Sequence, residues 1–182
     1  MKTLIINGSP RINGNTATLI NKLKENLDGE VTEISVYRDN IHPCIDCRYC
    51  IEHNKCSIED DMSKIYEDDY DNLVIASPVY YGMLTGPLVS FASRLQVYHS
   101  LQPTKNSPRV LHEKKAALIL TGGGKDNSIN AVNFSFVIFN TLNAVLDDEN
   151  IVTVFNTDNL DAVNNIEAMK LISDITSNLN NR

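Results

Sequence analysis

The sequence predicts an α/β fold in which a five-stranded parallel sheet has helices on both faces. Short apolar runs alternate along the chain with segments whose apolar residues recur every three or four positions. The strands are continuous apolar runs rather than clean alternations, which is typical of strands buried on both faces. With 182 residues, the chain is long enough for one domain with a full-sized core, and we expect a single domain over 1–182.

The five predicted strands are short and apolar, and turn residues mark their ends. They cover residues 4–6, 31–36, 73–76, 116–121 and 151–155. Five helices are predicted between and after them from apolar residues at helical spacing. The first helix begins near residue 16, and the second is a short helix that ends at Tyr66. The other three cover 88–95, 132–146 and 163–179.

A polar loop joins the first strand to the first helix, and it has the features of a phosphate site. The first amides of a helix have no partner inside the helix, and the helix dipole is positive at that end. Ser9, Asn15 and Thr16 add side-chain donors, and Arg11 adds a positive charge. The alternative is an ordinary turn in which Asn15 or Thr16 caps the helix.

The same loop excludes two common nucleotide motifs. Gly8 and Gly14 are too far apart for the dinucleotide pattern G-x-G-x-x-G, and the lysine of a P-loop is missing before Thr16. A monophosphate needs less positive charge than a diphosphate or triphosphate. The loop therefore favours a mononucleotide.

Three motifs in this order resemble the NAD(P)H-dependent FMN reductases. They are Gly8-Ser9-Pro10-Arg11 with Gly14-Asn15-Thr16, then Asp60-Asp61-Met62, then Ala76-Ser77-Pro78-Val79-Tyr80-Tyr81-Gly82. The resemblance covers about residues 1–160 and implies a flavodoxin-like three-layer sandwich, bound FMN and NAD(P)H as co-substrate. In the helix after the third motif, Arg94 fits the family, whereas an expected lysine and aspartate are absent.

The loops after the third and fourth strands are expected to complete the site, because ligands of such sheets lie beyond the carboxyl ends of the strands. The resemblance places one loop along the flavin ring and the other near its far edge, although each is also compatible with an ordinary turn. The residues concerned are Pro78, Val79, Tyr80, Tyr81 and Gly82 in the first loop and Thr121, Gly122 and Gly123 in the second.

All four cysteines lie in one loop with the spacing C-x2-C-x2-C-x5-C: Cys44, Cys47, Cys50 and Cys56. A disulfide framework would join distant parts of the chain, so this clustering favours metal or redox chemistry. The spacing resembles that of the iron–sulfur flavoproteins, which implies a [4Fe–4S] cluster. A zinc site of four cysteines and a loop without metal remain open.

The sequence and the resemblance together predict an FMN-dependent oxidoreductase that passes a hydride from NAD(P)H to a small acceptor such as a quinone or nitroaromatic. No catalytic side chain is predicted, because the flavin carries the chemistry. The alternative is an iron–sulfur flavoprotein that carries single electrons between partners. A third class is a flavin-binding regulator without turnover, but no sequence feature supports it.

The charge and the chain start limit the partners. A net charge of −7 argues against nucleic acid and anionic membranes, and no apolar run approaches the roughly 20 residues of a membrane helix. The first residues lead directly into a strand, so we expect a cytoplasmic protein. Tyr80, Tyr81, Met83 and the apolar helix at 132–146 predict a homodimer, and the polar segment 96–115 is expected to shape the substrate side.

Overall fold

The computed structural model describes residues 1–100 and 111–181. Half of the predicted polar segment at 96–115, residues 101–110, therefore lies outside the described residues. Within them, the chain forms one parallel sheet with helices on both faces, as predicted. No helix in these ranges is both long and apolar enough to cross a membrane.

The sheet has six strands in five positions within the described part of the chain. The order is β2-β1-β3-β4-β5, and β6 pairs with the end of β4 while β5 pairs with its start. The order 2-1-3-4-5 is that of flavodoxin-like folds. The strands are β1 (Lys2–Asn7), β2 (Glu30–Ser35), β3 (Asn72–Pro78), β4 (Lys114–Thr121), β5 (Ala144–Val145) and β6 (Ile151–Val154).

Seven α-helices lie within the described residues. They are α1 (Asn15–Lys24), α2 (Tyr49–His53), α3 (Ser63–Tyr66), α4 (Gly86–Ser93), α5 (Gln96–Ser100), α6 (Ile129–Thr141) and α7 (Ile166–Asn180). The prediction of one helix over 132–146 was wrong at its end. Asn143 takes a left-handed conformation with φ of 53°, and the chain then forms β5 beside β4.

The core has two parts, one on each face of the sheet, because successive side chains of each strand point to opposite faces. Ile5 and Val74 pack on one face with α1 and α7. Ile6 and Leu73 pack on the other face with α3, α4 and α6. Both faces of the central strands are thus covered, which explains why their sequences are continuous apolar runs.

Backbone hydrogen bonds join the loops that leave the carboxyl ends of the strands. The Gly8 N–H donates to the Ala76 carbonyl at 2.7 Å, and the Val79 N–H donates to the Thr121 carbonyl at 2.8 Å. The Gly122 N–H donates to the Val154 carbonyl at 2.9 Å. The loops after β1, β3, β4 and β6 therefore meet at one edge of the sheet.

Candidate functional site

A cavity of about 240 Å³ lies where these loops meet. Of the twelve residues predicted to bind the cofactor, all but Tyr81 and Gly82 line it. The structure therefore brings together three loops that the sequence separates by as much as a hundred residues. The lining residues are Ser9, Arg11, Gly14, Asn15, Thr16, Pro78, Val79, Tyr80, Thr121, Gly122, Gly123, Thr157, Asp158 and Asp161.

The loop after β1 ends in a helix terminus with unused backbone donors. Gly14 is the N-cap of α1, and no side chain caps the helix. The first intrahelical bond runs from the Thr18 N–H to the Gly14 carbonyl at 2.9 Å. The preceding N–H groups of Asn15 and Thr16 have no acceptor inside the helix, so this end fits a monophosphate.

Side-chain hydrogen bonds fix the shape of this loop. The Asn7 side-chain oxygen accepts from the Ser9 N–H at 2.8 Å, and the Ser9 hydroxyl accepts from the Arg11 N–H at 3.2 Å. Asn15 does not cap α1, because its side-chain oxygen accepts from the Ala162 N–H at 2.7 Å. Asn15 thereby connects α1 to the loop after β6.

Thr16 and Thr121 connect the predicted phosphate loop to the loop after β4. Their hydroxyl oxygens are 2.7 Å apart and both side chains are buried. Since one hydroxyl donates to the other, each keeps remaining hydrogen-bonding capacity for a ligand. Both threonines line the cavity, so the pair contributes polar groups to its surface.

The tyrosine loop is a tight turn that directs its two tyrosines to different places. Tyr80 and Met83 exchange backbone hydrogen bonds of 2.9 and 3.0 Å. The two residues between them have positive φ, 52° at Tyr81 and 76° at Gly82, as in a type I′ turn. Tyr80 lines the cavity, whereas Tyr81 is fully exposed and lies outside it.

The glycines after β4 make room for the loop after β6. A Cβ on Gly122 would lie 2.3 Å from a ring carbon of Phe155, and one on Gly123 would lie 2.5 Å from the Asp158 carboxylate oxygens. The sequence predicted that these glycines allow close approach of a ligand. The structure shows that they allow close approach of the loop after β6.

Besides Gly14 of the phosphate motif, three lining residues were not among those predicted to bind the cofactor: Thr157, Asp158 and Asp161. They belong to the loop after β6, and the rule that ligands lie beyond the carboxyl ends of strands could have indicated that loop. No motif marks these residue types. Among the described residues that line the cavity, Arg11 is the one cation and Asp158 and Asp161 are the carboxylates.

A second cavity, of about 140 Å³, is lined by all four cysteines. Cys44 and Cys47 are exposed, Cys50 and Cys56 are partly buried, and all four are free thiols. The loop winds tightly, with left-handed φ angles at Asp46, Arg48 and Asn54. We call this space the cysteine cavity.

The Cys47 thiol has a polar environment. Its sulfur lies 3.1 Å from the Ser57 hydroxyl oxygen. The hydrogen bond from Ser57, helped by the N–H of Tyr49, lowers the pKa of Cys47 from its ordinary value. A lowered pKa favours the thiolate, which is the form that binds metals.

The four cysteines line one cavity, but their sulfurs do not converge on a single point at which one metal ion could bind. In the ranges 1–100 and 111–181, no group of three or more histidine, cysteine or acidic side chains is arranged to hold one metal ion. A single zinc ion needs such a group. A four-iron cluster is wider than one ion and is held by four thiolates, so four cysteines around one cavity are a donor set that fits it.

A buried ion pair closes the base of the cysteine loop. The Arg94 guanidinium donates to the Asp60 carboxylate in a bidentate pair of 2.6 and 3.2 Å. It also donates to the carbonyls of His42 at 2.9 Å and Ile58 at 3.2 Å, which flank the four cysteines. Arg94 thus joins the two ends of the loop.

The pair also shifts two pKa values. Burial alone would raise the pKa of Asp60, but hydrogen bonds from Arg94 and from the N–H groups of His42 and Met62 outweigh it and lower the pKa. Burial alone would lower the pKa of Arg94, and its bonds to Asp60 raise that pKa instead. Both groups therefore stay charged at neutral pH although their side chains are inaccessible.

Comparison with known proteins gives a family match and several relatives. The family model described as NADPH-dependent FMN reductase matches residues 1–157. An iron–sulfur flavoprotein of Methanocaldococcus jannaschii is 32% identical over 148 residues, which are 76% of this chain and 72% of that protein. A second iron–sulfur flavoprotein of that organism is 36% identical over 99 residues, which are 52% of this chain and 51% of that protein.

Solved structures share the fold at low sequence identity. The NAD(P)H:quinone oxidoreductase from Methanothermobacter marburgensis has a TM-score of 0.71 at 12% identity, with 100% of this chain and 98% of that chain covered. The FMN-dependent NADH-azoreductase of Bacillus anthracis, solved with FMN, has a TM-score of 0.63 at 16% identity, with both chains fully covered at 100%. These neighbours support the flavodoxin-like architecture.

Proposed function

Since the chain belongs to the NADPH-dependent FMN reductase family, we propose that it passes a hydride from NAD(P)H through FMN to a small acceptor such as a quinone or a nitroaromatic. FMN and NAD(P)H are the cofactors of the family. The observation that carries the proposal is the cavity of about 240 Å³ at the carboxyl edge of the sheet. It combines a helix N-terminus, whose first N–H groups have no acceptor inside the helix, with apolar lining residues from the loop after β3.

The FMN phosphate is assigned to the start of α1. Backbone N–H groups at the start of α1 and the hydroxyls of Ser9 and Thr16, which line the cavity, would donate to it, and Arg11 would add positive charge. Arg38 also contacts this loop, because its guanidinium donates to the Ser9 carbonyl at 3.4 Å. A loop without a dinucleotide pattern favours FMN over FAD.

The rest of the cavity is assigned to the ribityl chain and the flavin ring. Pro78, Val79 and Tyr80 supply an apolar wall, and Tyr81 and Gly82 form the turn beside it. The carboxylate of Asp158 is an acceptor suited to the hydroxyl groups of the ribityl chain. The neighbouring residues Thr121, Gly122 and Gly123 also line the cavity, and glycine allows the backbone there to lie close to a ligand.

Bound FMN supplies the hydride chemistry, and the protein binds and orients it. We assign no side chain to the chemical step, because the flavin carries the chemistry. The chain's residues would hold the phosphate at the start of α1 and would bind the ring beside Pro78, Val79 and Tyr80.

The phosphate assignment is tested with the double variant Ser9→Ala/Thr16→Ala. Lost hydrogen bonds to a charged phosphate are expected to weaken FMN binding by about 1–3 kcal/mol. Thr176→Ala is a matched control, since Thr176 is equally buried in α7 but bonds to the Ile172 carbonyl away from the cavity. Titration of the apoprotein with FMN gives the affinities, and an unchanged affinity in the double variant would refute the assignment.

A second candidate function is that of an electron carrier with a [4Fe–4S] cluster. Two observations favour it: Cys44, Cys47, Cys50 and Cys56 line one cavity, and curated relatives are named iron–sulfur flavoproteins. In this case the four cysteines would hold the cluster as thiolates. Iron and sulfide analysis of protein purified without air tests it, with Cys47→Ser as the variant expected to lose the cluster.

We also propose that the protein is a cytoplasmic homodimer with one domain over 1–182. Free cysteines suit a reducing compartment. Tyr81, Met83, Ile129 and Val137 are large apolar side chains that remain exposed. The partners proposed are a small electron acceptor and a second copy of the chain, with no role for nucleic acid or membrane.

A further inference from the structure

We propose that Arg94 donates a hydrogen bond from its Nε–H to the iron–sulfur cluster of the cysteine cavity and thereby raises the reduction potential of that cluster. The inference rests on the second candidate function above. It adds to the cluster site a residue, Arg94, that is not part of the cysteine motif. Arg94 acts as a positioning residue for the loop and as a partner of the cluster.

The donors of Arg94 are almost fully used. A guanidinium has five N–H groups. Four hydrogen bonds account for the two terminal nitrogens: Nη1 donates to His42 and Asp60, and Nη2 donates to Ile58 and Asp60. The fifth donor, Nε–H, is buried and has no partner among the described residues.

An unpartnered buried donor needs an explanation, because burial removes it from water. Arg94 is 1% exposed, so solvent does not satisfy it. Arg94 itself lines the cysteine cavity together with the four cysteines. An acceptor in that cavity is therefore the natural partner of Nε–H.

The chemistry of the cavity points to sulfur as that acceptor. The cysteine thiolates and sulfide ions of a cluster carry negative charge and accept hydrogen bonds. Arg94 donates to the Asp60 carboxylate through Nη1 and Nη2, and it also lines the cysteine cavity. The guanidinium thus faces the carboxylate on one side and the cysteine cavity on the other.

Reduction of the cluster adds one electron and no proton, so its negative charge grows by one. A hydrogen bond from a cationic donor stabilises the reduced cluster more than the oxidised one. Loss of that donor should lower the potential. The flavin potential should not change, because Arg94 does not line the FMN cavity.

The test uses the double variant Asp60→Asn/Arg94→Met, which removes the donor without leaving a buried carboxylate unpaired. Arg94→Lys is a second variant that keeps the charge and loses Nε–H. The matched control is Asp68→Asn/Lys114→Met, since that pair is also largely buried, with oxygen and nitrogen 2.6 Å apart, and lines neither cavity.

Each protein is purified without air, and its iron and sulfide are measured. Dithionite titration then gives the cluster and flavin potentials from electron paramagnetic resonance and visible spectra. We expect the ratio of reduced to oxidised cluster at a fixed potential to fall about tenfold in the double variant, which is about 59 mV for one electron. Arg94→Lys should shift in the same direction, and the control should match the wild type.

Three results would overturn the proposal, and they differ from one another. Variants with full iron and an unchanged cluster potential would show that Nε–H does not reach the cluster. Loss of iron from both Arg94 variants but not from the control would show that Arg94 only holds the loop. A wild-type protein without iron would refute the second candidate function itself.

Discussion

Asp60 is a single carboxylate on which the start and the end of the cysteine loop depend. It accepts hydrogen bonds from Arg94 and from the N–H groups of His42 and Met62. These bonds outweigh the effect of burial and hold the pKa of Asp60 below its ordinary value. The residue therefore contributes to stability through its charged form.

This shift predicts how stability depends on pH. In the unfolded chain an aspartate has a pKa of about 3.9, and the folded pKa of Asp60 is lower. Its stabilisation is complete above the unfolded pKa and is lost as pH falls from about 4 through the folded pKa. The unfolding free energy of the wild type should therefore fall more steeply below about pH 4 than that of Asp60→Asn.

Urea unfolding at a series of pH values measures this difference. Asp174→Asn, at an exposed position of α7, is the control and should keep the steep wild-type dependence. Equal pH dependence in the wild type and Asp60→Asn would contradict the assignment of a stabilising charge to Asp60.

Residues that line the cavity were predictable where a motif coincides with the end of a strand. Ser9, Thr16 and Tyr80 were found in this way, and they line the cavity. Asp158 could not be predicted, since its carboxylate packs against Gly123, where a Cβ would lie only 2.5 Å from the carboxylate oxygens. That contact joins two loops that no short motif connects.

In the tyrosine turn, Tyr81 adopts a left-handed backbone conformation that tyrosine does not favour. Type I′ turns favour asparagine followed by glycine, and here tyrosine occupies the first central position with φ of 52°. A left-handed conformation costs a non-glycine residue roughly 1–2 kcal/mol, and asparagine tolerates it better. Tyr81 is fully exposed and recovers no packing energy within this chain.

We therefore expect Tyr81→Asn to raise the free energy of unfolding of the isolated chain by about 1 kcal/mol. Tyr80→Asn is the matched control in the same turn, because Tyr80 is not among the residues with positive φ and should show no gain. Chemical denaturation measures both. A loss of stability in Tyr81→Asn would argue against a strained turn.

The glycine loop after β4 gives a second prediction about an element. Gly122→Ala forces a Cβ against the Phe155 ring, so it should destabilise the fold by about 1–3 kcal/mol and displace the wall of the FMN cavity. Gly124→Ala has open space around the new Cβ and should change stability by less than about 0.5 kcal/mol. Equal effects of the two substitutions on urea unfolding would be inconsistent with this packing.

The long strands and helices were predicted from apolar patterns, whereas the short elements α2, α5 and β5 were not, and element ends were predicted less well. The apolar sequence continues past Thr141 through Leu146, so hydropathy alone extends α6 into β5. The change of direction lies in the left-handed backbone of Asn143. Pairing of β5 with the start of β4 is a long-range contact, which a local pattern does not encode.

At the scale of the whole molecule, the parallel sheet and its two covered faces were predictable from the alternation of strands and helices. The occupant of the cysteine cavity was not, because cysteine spacing gives the donors but not the positions of the sulfurs. Arg94 reaches that cavity from the end of α4, far along the chain from the cysteine loop.

The exposed apolar residues predict assembly of two copies. Tyr81 and Met83 of the tyrosine turn, with Ile129 and Val137 of α6, remain exposed in one chain. We expect light scattering at micromolar concentration to give the mass of a dimer, and Val137→Lys to shift the equilibrium toward the monomer. A monomer mass for the wild type would refute this.

The central claim is that this chain binds FMN and that NAD(P)H reduces it. The most direct measurement is the visible spectrum of FMN-loaded protein in air-free buffer during addition of NADH or NADPH. The oxidised flavin absorbance should disappear with one equivalent of the nicotinamide and return when a quinone is added. Flavin that stays oxidised with both nicotinamides, in protein fully loaded with FMN, would contradict the account.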